Sequence, residues 1–221
     1  MNLKLALVAA GMALASSGVN AAVVNLSGAT VNFSFDDSFL SQANSKYTGY
    51  AWDGDTLSFE PNFFYADSQS ATAAFAMLSG IKVTAKTGYV INGLSLHEDG
   101  YYFQTEGAKV TASAGFTVNS VLNPVSAVGL TEKEMLSEWA IDSTVSVDSK
   151  QEVNVKVLNL LTAAKLPNGT DFDFAYIDKN LVKLTALTSS DVTPVPVPGA
   201  FWLFGSAFVG LLVSRRNTQA A

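Results

Sequence analysis

Tyr101-Tyr102-Phe103-Gln104-Thr105-Glu106-Gly107-Ala108-Lys109-Val110-Thr111-Ala112-Ser113-Ala114-Gly115-Phe116-Thr117-Val118 is the stretch on which the fold class turns. From Lys109 onward its side chains alternate. Val110, Ala112, Ala114, Phe116 and Val118 fall on one face of an extended chain, and Lys109, Thr111, Ser113, Gly115 and Thr117 fall on the other. A period of two puts the first set in a core and the second in water, whereas the 3.6-residue period of a helix would scatter both. Gly107 joins this strand to the one from Tyr101 to Glu106, giving a hairpin.

The same period recurs on both sides. Val31, Phe33 and Phe35 alternate with Thr30, Asn32 and Ser34, and Asp36-Asp37 ends the run. Tyr50 and Trp52 lead through the turn Asp53-Gly54-Asp55 into Leu57 and Phe59, a second hairpin. The alanines of 69–78 permit a helix, but Ile81, Val83 and Ala85 beyond Gly80 favour strand for the whole segment. Further strands are expected from Tyr89 to Leu96, bounded by Glu98-Asp99-Gly100, from Ser143 to Val147, over Val153, Val155 and Val157, over Phe172, Phe174 and Tyr176, and from Leu181 to Leu187. Leu158 to Leu166 reads as an apolar corner. Thr131 and Glu134 have capping-box spacing ahead of Met135, Leu136 and Trp139, which predicts a short helix near 131–140. About ten short strands with almost no helix predict an all-β fold, a two-sheet antiparallel β-sandwich of jelly-roll or Greek-key type over residues 22–190.

Both ends read as addresses. Lys4, the apolar run from Leu5 to Leu14 and the small residues Val19-Asn20-Ala21 make 1–21 a secretory signal peptide, with cleavage between Ala21 and Ala22. A proline-rich linker, 191–199, ends in Val195-Pro196-Val197-Pro198-Gly199. It leads into an uncharged apolar segment from Ala200 that Arg215-Arg216 closes, with 217–221 as a cytoplasmic tail. The fifteen residues 200–214 rise about 22 Å as a helix, short of a bilayer core of roughly 30 Å, so the expected single transmembrane helix (200–216) is a marginal anchor. Arg215 and Arg216 can reach the cytoplasmic headgroups and hold that end.

In order and composition, Val195 to Arg216 resembles the PEP-CTERM sorting domain of Gram-negative bacterial surface proteins, in its Val-Pro-x-Pro variant with Val197 where the named motif has glutamate. Loosely, 81–118 and 153–187 also resemble the bodies of other proteins bearing this tail. The resemblance implies an inner-membrane-anchored precursor cut by an exosortase-type enzyme after signal peptidase has acted. It also implies a mature protein at the cell surface or outside the cell, associated with exopolysaccharide or biofilm.

With 13 cations and 19 anions the chain carries a formal charge of −6. Loss of Lys4, Arg215 and Arg216 with the two signals leaves a mature body near −9, which repels nucleic acid. The absence of cysteine leaves stability to burial. One histidine, His97, and no thiol or Gly-x-Ser-x-Gly elbow give little to activate a nucleophile or to hold zinc, so no catalytic residue or cofactor is assigned. Calcium is the metal that oxygen donors in turns would suit, with Asp53, Asp55, Glu98 and Asp99 as candidates. Trp52, Tyr101 and Tyr102, at expected strand ends, are candidates for stacking on sugar rings. The expectation is a non-enzymatic matrix or surface protein. The alternative is a carbohydrate-active enzyme, a glycoside hydrolase or lyase that uses paired carboxylates on the same fold.

Overall fold

In the computed structural model, which describes residues 22–40, 45–127 and 129–191, the alternating segments are realised as two antiparallel sheets. The first contains β1 (Val23–Ser27), β2 (Val31–Asp36), β6 (Ala73–Ala85), β8 (Ala108–Val118), β9 (Val121–Ser126) and β11 (Glu152–Lys165), in the order β1-β2-β6-β11-β8-β9. The second is built on β7 (Tyr89–Gln104). One edge of β7 pairs with β12 (Ala175–Asp178) and then β13 (Leu181–Ser190), and its other edge pairs with β10 (Ser137–Lys150). Beyond these lie β4 (Thr56–Pro61) and β3 (Tyr47–Asp53) on the β13 side and β5 (Tyr65–Asp67) beside β12. The inward residues of both sheets, among them Phe33, Phe35, Leu57, Phe59, Leu78, Ile81, Leu96, Phe116 and Leu161, form one buried cluster. The fold is the expected sandwich.

Phe116 is fully buried and Thr117 is not, so the face assigned to β8 is correct. In β6 the buried residues are Ala74, Ala76 and Leu78 before Gly80, and Ile81, Val83 and Ala85 after it. The parity changes at a bulge, where Gly80 takes φ +72° and the register against β11 slips between Val155 and Val157. One inserted residue keeps both halves of a 13-residue strand facing the core.

Several local expectations are corrected. No helix forms at 131–140: Glu134 has φ +55°, the Thr131 hydroxyl turns back to the Gly129 carbonyl, and β10 begins at Ser137. Trp139 and Ile141 alternate with Glu138, Ala140 and Asp142, and pairing along β7 satisfies the backbone that a one-turn helix would leave open. Glu98-Asp99-Gly100 is no turn; β7 runs straight through it because β10 and β13 flank it on both edges. The apolar corner at 158–166 is the second half of β11, and Phe172 lies 95 % exposed ahead of the short β12. A 3₁₀ turn at Asp37–Leu40 is the helical element among the described residues. No helix of those residues is long and apolar enough to cross a membrane. The signal peptide through Ala21, the motif Val195, Pro196, Val197, Pro198 and Gly199, and the stop Arg215-Arg216 lie outside the described residues.

Candidate functional site

Alternation fixes which side chains of the second sheet look outward. On β7 these are His97, Asp99, Tyr101 and Phe103, while Leu96, Glu98, Tyr102 and Gln104 point into the core. Tyr176 of β12 is paired with Phe103, and Tyr65 of β5 lies opposite Asp178. The Tyr65 and Tyr176 rings stack with centroids 5.8 Å apart, and Phe103 lies against Phe174 at 6.3 Å. Tyr65, Tyr176, Phe103 and Tyr101 therefore form an aromatic row across three adjacent strands, about 10 Å at sheet spacing. Tyr101 is its most open member at 39 % exposure.

Polar groups hold this row in place. Asp178 accepts a hydrogen bond from the Tyr101 backbone N–H (2.8 Å) and another from the Tyr176 hydroxyl (3.1 Å). Burial, with the Asp178 charge beside it, pushes the Tyr176 phenol up to about 12, so its O–H stays a donor at neutral pH. A depression of about 460 Å³ flanks Tyr101 and is lined by His97, Asp99, Gly100, Glu138, Ala140 and Asn180. His97 Nδ1 lies 2.7 Å from Asp142 and Nε2 lies 3.3 Å from Asp99, so both ring nitrogens are engaged by carboxylates. The face offers flat apolar rings beside hydrogen-bonding groups of both kinds, the combination that a sugar ring requires.

Of the candidates read from sequence, Tyr101 stands in this row. Tyr102 does not: it points inward, is 1 % exposed, and its hydroxyl accepts the Glu132 backbone N–H. Trp52 packs half-buried against the core at the sheet edge, paired with Leu57. The calcium candidates are not assembled. Asp55 is taken up by the Thr30 hydroxyl and the backbone N–H groups of Thr30 and Val31, bonds that outweigh its burial and hold its carboxyl below the ordinary range. Asp53 is exposed at the β3–β4 turn, while Glu98 and Asp99, adjacent on one strand, point to opposite faces of the sheet. Among the described residues no group of three or more His, Asp or Glu side chains is arranged to hold a metal ion. Tyr65, Phe103 and Tyr176 were missed, although the parity of Tyr101 and Phe103 within the opening hairpin placed those two on one face.

Glu98 has a different role. It lies fully buried between the sheets, paired with Lys179, which is also fully buried in its side chain. Lys179 Nζ also donates to Asn159 Oδ1 at 2.6 Å, and Asn159 Nδ2 donates to the Tyr47 hydroxyl at 2.9 Å.

No family model matches the chain. No curated protein matches it either. Among solved structures it is similar to the CBM22-2 xylan-binding domain from Paenibacillus barcinonensis Xyn10C, at 15 % identity and TM-score 0.25 over 57 % of this chain and 92 % of that one. A likeness at that TM-score carries no argument about this chain.

Proposed function

We propose that this chain is an exported, non-catalytic surface or matrix protein, processed at its C-terminal sorting signal, whose β-sandwich associates with extracellular polysaccharide through the outer face of its second sheet. The row Tyr65, Tyr176, Phe103 and Tyr101 is the observation that carries the binding part of this reading. Cross-strand stacking accounts for part of this row, but it leaves Tyr101 open beside a depression rimmed by polar groups, which supports a binding role for the face. Export rests on the two terminal signals, and β1 begins at Val23, so cleavage after Ala21 leaves the first sheet whole. The acidic body suits a neutral or cation-bridged polymer rather than nucleic acid.

A hydrolase would need a free acid and base beside the bound sugar. Both His97 nitrogens lie on carboxylates and Asp178 is engaged by Tyr101 and Tyr176, which supports the non-catalytic reading. The test is incubation of the purified protein with the producer's own extracellular polysaccharide, following bound polymer and released oligosaccharide together. Saturable binding with no new reducing or unsaturated ends is expected. Release of such ends would establish the enzyme, and absence of binding would remove the polysaccharide reading.

A further inference from the structure

Between the sheets, at the level of Glu98, the core contains an amine, that of Lys179, in contact with both a carboxyl, Glu98, and a carboxamide, Asn159. Lys179 extends the inward set of β12, Ala175 and Ile177, and sits in a bulge where three residues, 178–180, oppose Gly100 and Tyr101 of β7. Gly100 allows this approach, since a Cβ there would lie 2.1 Å from the Asp178 carbonyl oxygen. Phe64 and Trp139 cover the ammonium group at 5.5 and 5.4 Å, and the Trp139 indole N–H is tied to the Asp178 carbonyl. Asn159 reaches in from β11 of the opposite sheet and is fully buried.

From this geometry we infer that Lys179 and Asn159 react to form an intramolecular amide that joins the two sheets covalently, with Glu98 carrying the proton. Nζ is 2.6 Å from Oδ1 and so at most about 3.8 Å from Cγ, given a C=O bond of about 1.23 Å. That is at the edge of a near-attack distance of about 3–3.5 Å. Burial of both partners disfavours their charges: it lowers Lys179 toward the free amine and raises Glu98 toward the acid, the two forms the step needs. Glu98 Oε1 has no hydrogen-bond partner, which leaves one carboxyl oxygen open to accept or deliver a proton.

The atoms balance without a co-reactant. The Nζ lone pair forms a bond to Cγ while the carbonyl π pair moves onto Oδ1. One proton leaves Nζ and reaches Nδ2 by way of Glu98. The Cγ–Nδ2 bond then breaks, its electron pair departs with nitrogen as ammonia, and the carbonyl reforms. Glu98 ends as it began. Tyr47, whose hydroxyl accepts from Nδ2, stands beside the leaving group, and burial keeps its phenol protonated. No water is needed, and exclusion of water protects the product from hydrolysis.

The inference is independent of the sugar-binding reading and is tested without ligand. The full chain is denatured after purification, its mass is measured, and it is digested with trypsin. Loss of one ammonia, about 17 Da below the sequence mass of the processed chain, is expected. A branched peptide joining 157–165 to 166–183 should accompany it, because trypsin does not cut after an acylated Lys179. The branch point distinguishes this bond from ammonia loss elsewhere in the chain. Recovery of 157–165 and 166–179 as separate linear peptides, at full mass, overturns the inference. A Glu98→Gln chain that retains the wild-type far-UV spectrum should yield the linear peptides. A cross-link formed as completely in that variant would overturn the role given to Glu98.

Discussion

Replacing Lys179 by methionine should make the stability of the sandwich depend on pH with a predictable slope. Glu98 lies fully buried, its pKa raised first by burial and held back by the attraction of Lys179. Lys179→Met keeps an apolar side chain of similar length against Phe64 and Trp139 and removes both the amine and any amide it forms with Asn159, so that burial of Glu98 is opposed by the charge of His97 alone. Above the ordinary carboxyl value of 4.5, the folded variant then holds more proton on Glu98 than the unfolded chain does. Since the folded pKa is raised, stability is fully present below the unfolded value and falls as pH rises toward the folded one. One extra bound proton corresponds to about 1.4 kcal/mol per pH unit, over the window in which the folded form keeps its proton and the unfolded chain has lost it. Urea unfolding followed by far-UV circular dichroism at half-unit steps measures it. The reference is the Lys179→Met/Glu98→Gln double variant, which differs only at the titrating carboxyl. Parallel pH profiles for the two would mean that Glu98 reaches solvent, and the reasoning would be refuted.

Phe116→Asp puts a charge among Val110, Ala112, Ala114 and Val118 and should cost at least the 3–5 kcal/mol of an aromatic deletion, while Thr117→Asp should stay within about 1 kcal/mol; thermal unfolding of both decides it. Gly100→Ala should cost about 2–4 kcal/mol, from overpacking against the Asp178 carbonyl and loss of its bond to Trp139, and protease resistance at the β12–β13 bulge should fall with it. At the chain's end, Pro198→Ala should leave unprocessed precursor in the membrane of the producing cell, whereas the wild-type exported protein should lack Arg215 and Arg216 by mass spectrometry.

The sandwich was legible because most strands have one buried face, and Val110 to Val118 or Phe33 and Phe35 state that face in every second residue. It was misread where strands depart from simple alternation. Strand β7 is central, so Glu98-Asp99-Gly100 looks like a turn while Glu98 and Asp99 pair on both edges and Gly100 pairs with Trp139 on one. Trp139 fits both a helical face and a strand face, and only the pairing of β10 with β7 selects the second. The aromatic row was half visible: Tyr101 could be read, but Tyr65 and Tyr176 join it through pairings between distant segments. The contact of Glu98, Asn159 and Lys179 could not be read at all, because none of the three neighbours another in sequence and two belong to different sheets.

The proposed binding of polysaccharide is tested most directly by titrating the producer's polysaccharide into the wild-type protein, Tyr101→Ala, Tyr176→Ala and Phe75→Ser. Phe75 is exposed on the outer face of the other sheet, so its variant controls for general surface stickiness. At about 0.5–1.5 kcal/mol per ring, each tyrosine variant should bind about 2- to 10-fold more weakly while Phe75→Ser binds as wild type. Equal affinity in all four proteins, or a loss confined to Phe75→Ser, would contradict the assignment of polysaccharide binding to the second sheet.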